Sequence, residues 1–157
     1  MPAPWRALAP GAIVSEMEVE HARAIAEAVH TARTLLNHVE RVAAGVPEWA
    51  RAIAWLHEVL EQTDTAEETL LREGLSSEEL RALRLLCREE SSSDLAYLGH
   101  IDLIARAGGT AGQLARAVKR ADLEDRQRHP LVRANGWSPP YGNALDALEP
   151  MQRRGAA

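Results

Sequence analysis

Ala52-Ile53-Ala54-Trp55-Leu56-His57-Glu58-Val59-Leu60-Glu61-Gln62-Thr63 is the stretch on which the reading of the fold turns. Together with Trp49, the residues Ile53, Leu56 and Leu60 recur at helical spacing and form one apolar stripe. Asp64 and Thr65 then offer a stop and a fresh N-cap. His57 lies one turn after Ile53 and one turn before Glu61, on the flank of the stripe. Burying a polar group unpaired costs about 1–3 kcal/mol, and burying an unpaired charge costs more. An imidazole, an adjacent carboxylate and a second carboxylate four residues on therefore require partners, and a metal ion would serve all of them.

Composition supports an all-α class. The 157 residues suit one domain, and 46% of them are hydrophobic, enough for a core. Aromatics make up only 4% and Phe is absent, so Ala and Leu, both strong helix formers, fill the interior. The formal charge of -5 argues against a nucleic-acid polymer as partner, which needs a basic surface, but leaves room for a local basic pocket that binds a phosphorylated small molecule. The single cysteine, Cys87, excludes an internal disulfide and suits a reducing, cytoplasmic setting. No apolar run is long enough to span a membrane, and Met1 to Pro10 lacks the pattern of a signal peptide. Oligomeric state is left open.

Outward from the central stretch, the chain divides into an irregular arm at 1–14, a helical domain at 15–130 and a Pro-containing segment at 131–157 that packs on the domain or frays. A long helical pattern starts near Ser15 and runs to Val42 with a break around His30 to Thr34; Gly45 and Pro47 close it. The next helix spans Glu48 to Gln62. Thr65 to Glu73 makes a short one, ended by Gly74. Ser76 with Glu79 forms a capping box before a helix that buries Leu80, Leu83 and Leu86, with Cys87 as a small core residue. Ser93 or Asp94 caps a helix with Leu95, Leu98, Ile101 and Ile104 on one side, and Gly108-Gly109 ends it. Thr110 opens a further helix that His129-Pro130 stops; a last short one sits around Asn143 to Leu148. The total is about six or seven helices.

Two more polar residues stand on apolar stripes. His38 lies between Leu35 and Val42, and Asp122 follows Leu114 and Val118 at four-residue steps. The plain alternatives are a half-buried histidine bonded to a carbonyl, and an ion pair of Asp122 with Arg120 or Arg126. Spacing does not bring Glu58 to the same point as His57, because neighbours on a helix point about 100° apart. His100 reads as structural, and His21, His30 and His129 as surface residues. Trp137 and Tyr141, among prolines, read as anchors for the tail.

The order His38, His57-Glu58, Asp122 resembles the H…HD…D pattern of HD-domain metal-dependent phosphohydrolases, and more narrowly the hydrolase domain of RelA/SpoT-type alarmone enzymes and their small stand-alone relatives. Leu35 to Ala43 is similar to that family's Y-I-x-H-P-x-x-V-A, Ala52 to Thr63 to A-A-L-L-H-D-V-V-E-D-T, and Val118 to Leu123 to I-K-L-A-D-R-L. Arg88-Glu89 is similar to the small relatives. The likeness covers roughly residues 20 to 130. Four differences stand out: Glu58 replaces the family's Asp, Glu61-Gln62 its E-D pair, Val39 its proline and Arg126 its Asn. The Gly-rich basic loop ahead of the first histidine is missing, since His30 lies only eight residues before His38.

The resemblance implies an HD-like helical bundle with His38, His57, Glu58 and Asp122 around one divalent ion, manganese by analogy, with Zn, Fe and Mg as alternatives by ligand type. It implies Glu61 and Gln62 at the catalytic positions, Glu61 orienting water or holding the His57 ring. Lys119, Arg120 and Arg126 become phosphate contacts. The implied activity is hydrolysis of a small phosphorylated nucleotide, such as removal of the 3′-pyrophosphate of guanosine 3′-diphosphate 5′-di(tri)phosphate. The substitutions at 58 and 62 carry a second expectation: a degenerate HD domain kept as a nucleotide-binding or protein-interaction module.

Overall fold

The computed structural model describes residues 16–87, 93–129 and 140–148, and every regular element among them is a helix. In chain order these are α1 (Val19–Val29), α2 (Arg33–Gly45), α3 (Glu48–Leu56), α4 (Val59–Gln62), α5 (Glu67–Arg72), α6 (Ser77–Leu86), α7 (Asp94–Arg106), α8 (Gly109–Arg128) and α9 (Tyr141–Leu148). The arm at 1–14 with Trp5, the Arg88-Glu89 pair and Trp137 lie outside the described residues. No helix among those described is long and apolar enough to cross a membrane.

α3 is the centre of the bundle. Its Ala50, Ala52, Ile53, Ala54, Trp55 and Leu56 are all buried, so it is apolar nearly all round and is enclosed by α1, α2, α6 and α8. Alanines on two opposite sides of the helix let the neighbours approach closely. α6 and α8 form the most extensive pairing, and α9 packs across α7 and α8. Tyr141 opens α9 and is buried with its ring edge-on to Tyr97, so it pins this segment to the body.

The predicted punctuation holds in most places. The break around residues 30–32 separates α1 from α2. Both halves of the Ser76–Glu79 capping box form, and the Ser93 hydroxyl caps α7 by accepting from the Ala96 N–H. Gly74 follows α5 at φ +106°, a conformation that β-carbon-bearing residues rarely adopt.

Two expectations fail. The Glu48–Gln62 helix is broken at His57–Glu58 and restarts as the single turn α4. Leu95 is 84% exposed instead of joining Ile101 and Ile104 in the core. Steps of three residues fall short of a full turn, so over the nine residues from Leu95 to Ile104 the stripe drifts by about half a revolution.

Candidate metal centre

Three segments converge at one end of α3. α2 supplies His38, fully buried one turn before Val42. α8 supplies Asp122, buried on the stripe of Leu114 and Val118. The α3–α4 turn supplies both His57 and Glu58. At ψ -21° and -6° these two residues leave regular helical geometry, and the change of direction brings adjacent side chains together. His57 Nε2 stands 3.4 Å from Glu58 Oε1 and 3.7 Å from Asp122 Oδ1. His38 Nε2 stands 2.9 Å from Asp122 Oδ1 and 3.8 Å from Glu58 Oε1. One ligand atom from each of the four residues falls within 4.8 Å of the others, and all four residues are buried.

These atoms fit a divalent cation. Donors about 2.1 Å from a shared ion stand roughly 3 to 3.5 Å from one another, close to the separations seen. Two buried donor atoms, His57 Nε2 and Glu58 Oε2, also make no hydrogen bond. Both rings are oriented from behind. His57 Nδ1–H donates to the Ala54 carbonyl, which can only accept, so the site-facing nitrogen is Nε2. His38 Nδ1–H donates to Asp125 Oδ2 at 2.6 Å, and Asp125 is itself gripped by Arg41 through Nε at 2.7 Å and Nη2 at 3.0 Å.

The carboxylates are charged. Burial opposes ionisation of Glu58, but the His57 imidazole and the Arg126 guanidinium outweigh it and hold the group down to about 2. Burial also opposes ionisation of Asp122, and the charges of Arg126 and Lys119 together with the His38 ring hold it well below the usual carboxylate range. His57 moves the other way. Burial disfavours its cation, yet the carboxylates of Asp122 and Glu58 push the ring up to about 10. A ring so shifted favours its protonated form near neutral pH. That proton must leave before Nε2 can donate its lone pair. Affinity for a divalent ion should therefore rise with pH, by up to about tenfold per unit across roughly pH 6 to 9. Calorimetric titration with Mn²⁺ at several pH values checks this; a flat profile contradicts it.

The predicted phosphate contacts separate. Lys119 is buried with Nζ 2.9 Å from Asp122 Oδ2 and 5.9 Å from the Tyr97 ring centroid. Arg126 bonds Asp122 Oδ1 through Nε at 2.8 Å and Glu58 Oε1 through Nη2 at 2.6 Å. Arg120 is exposed on α8. Glu61 and Gln62 are exposed on α4 and are not among the four clustered residues, and the acceptor for the His57 ring is Ala54 rather than Glu61. The ion pair of Asp122 with Arg126 exists, but buried.

His30 is a correction: it is not on the surface but 7% exposed. It continues the buried Ala22 and Ala26 at a four-residue step, a signal that the small size of alanine conceals. Its Nε2 is buried without a hydrogen bond, and burial lowers its pKa while the charges of Glu58 and His57 act on it. Asp125 and Arg41 were also missed as members of the site. Cys87 is half-buried, and burial together with the carboxylate of Glu61 raises its thiol pKa, which keeps it unreactive. A cleft of about 700 Å³ lined by Ala24, Ile25, Thr63, Thr65 and Glu73 includes none of the four clustered residues. Neither protein-family models nor curated proteins give a match to this chain.

Proposed function

We propose that this chain is an HD-type, metal-dependent phosphohydrolase of a small phosphorylated nucleotide, with the 3′-pyrophosphate of an alarmone as the leading substrate and manganese as the ion. The observation that carries the reading is the convergence of His38, His57, Glu58 and Asp122, in the family's order along the chain, with two buried donor atoms that make no hydrogen bond. When bound, such an ion lowers the pKa of a coordinated water and clamps a phosphoryl oxygen. The chain's own part is to hold two imidazoles by their Nδ1 atoms, exclude bulk water, and supply Lys119 and Arg126 as counter-charges beside the carboxylates.

A second reading is favoured by one observation: Glu61 and Gln62 are exposed and Gln62 carries no charge, so the catalytic pair of the family is half missing. On that reading the site binds ion and nucleotide without turnover. The two are separated by assaying purified protein with Mn²⁺ across a panel of nucleotide 5′-phosphates and 3′,5′-bisphosphates. Release of phosphate or pyrophosphate supports the enzyme. Binding without product, with activity gained on Glu58→Asp plus Gln62→Asp, favours the module. A protein that takes up no divalent ion at millimolar concentration removes both.

A further inference from the structure

Arg126 occupies a singular place. Its guanidinium bridges Glu58 Oε1 and Asp122 Oδ1, and these same two oxygens face the His38 and His57 Nε2 atoms. A divalent ion shared by the four residues needs those oxygens, and a guanidinium bonded to them at 2.8 and 2.6 Å stands in its way. The remaining oxygens do not offer an equal alternative. Asp122 Oδ2 is taken by Lys119, and Glu58 Oε2 alone has no hydrogen bond. Arg126 is also the member with a route outward: its side chain is 19% exposed, against 0% for His38 and 2% for Asp122.

We propose that Arg126 is a displaceable internal cation: a divalent ion expels its guanidinium from Glu58 and Asp122, and the freed guanidinium, at the solvent side of the site, captures the phosphate group of the ligand. The inference rests on the metal reading above and adds a coupling between ion and anion. Charge balance supports it. Without an ion, the carboxylates of Glu58, Asp122 and Asp125 are matched by the cations of Lys119, Arg126 and Arg41. Entry of a divalent ion leaves the cluster with excess positive charge, and a phosphate dianion is the chemical class that cancels it. Arginine suits both positions because its planar fork pairs bidentately with carboxylate and with phosphate alike.

The test uses the whole chain, Mn²⁺ and inorganic phosphate. In wild type, saturating phosphate should tighten Mn²⁺ binding, and Mn²⁺ should tighten phosphate binding by the same factor, within the usual span of roughly 5- to 150-fold for coupled sites. In Arg126→Asn, Mn²⁺ should bind more tightly than in wild type without phosphate, because the competing cation is gone, and the coupling factor should fall to near one. Should that variant not fold, the wild-type Arg126 Nε–H resonance, assigned by its loss in Arg126→Lys, gives an independent readout. It should shift and begin to exchange with water on saturation with diamagnetic Mg²⁺. Retained coupling in Arg126→Asn, unchanged or weaker Mn²⁺ binding there, or an Nε–H signal unmoved by the ion overturns the proposal. Mn²⁺ binding that is lost in His57→Ala but indifferent to Arg126 leaves the metal site standing and removes only the displacement.

Discussion

Asp122→Ala should destabilise the ion-free protein by about 3–5 kcal/mol, the cost of leaving buried charge without its partner. Asp122 is where the ion-free network meets: it accepts from Lys119 at 2.9 Å and Arg126 at 2.8 Å, and its Oδ1 lies 2.9 Å from His38 Nε2. Deleting the carboxylate strands a buried ammonium and takes a carboxylate partner from the Arg126 guanidinium, which keeps its bond to Glu58. The burial that already works against the Lys119 cation would then lose its main counterweight, and the side chain would deprotonate or drag water inward. For a chain of this length the loss corresponds to a fall in melting temperature of roughly 6–20 °C. Asp122→Asn keeps the shape and one acceptor and should cost less. Arg120→Ala, on the exposed side of the same helix, should stay within about 0.5 kcal/mol. Thermal and urea unfolding of the three variants decides the matter; a cost for Asp122→Ala below about 1 kcal/mol would show that the cluster is solvated rather than buried.

How far the site could be read in advance depended on which residues obey helix periodicity. His38 and Asp122 were legible because each completes an apolar stripe at four-residue steps, and both prove buried. Glu58 was not legible by spacing. An unbroken helix would have sent it about 100° away from His57, and no Gly or Pro announces the turn between α3 and α4. Only the family resemblance supplied it. Asp125 was missed for another reason. Its partner His38 is 87 residues away in sequence, and a tertiary hydrogen bond leaves no periodic trace. One hint existed in hindsight: Arg41 stands three residues after His38, and Asp125 three after Asp122, so two helices that meet at one point also meet one turn further on. The helical class itself was secure, since an Ala- and Leu-rich chain with few β-branched runs has little else to become. Helix faces were less so, as Leu95 and His30 show from opposite sides: one was placed inside and is out, the other was placed outside and is in.

His57→Ala should separate metal binding from folding. The His57 ring is held by one hydrogen bond to the Ala54 carbonyl and faces the Glu58 and Asp122 carboxylates through Nε2, so the ion-dependent rise is read against each variant's own ion-free melting temperature. The effect of the substitution on the ion should be large. Mutating a group that merely orients a ligand weakens metal binding by about 10- to 100-fold, and deleting the donor itself should exceed that. In wild type, Mn²⁺ at one hundred times its dissociation constant should add about 2.7 kcal/mol, or roughly 5–11 °C in melting temperature. In His57→Ala the same concentration should add almost nothing. Glu61→Gln provides the contrast: exposed on α4 and outside the clustered four, it should keep the full Mn²⁺-dependent rise. If His57→Ala is stabilised by Mn²⁺ as much as wild type is, the ion binds elsewhere, and the cluster of His38, His57, Glu58 and Asp122 is an ion-pair network that only happens to bring two imidazoles to a ring separation of 5.5 Å.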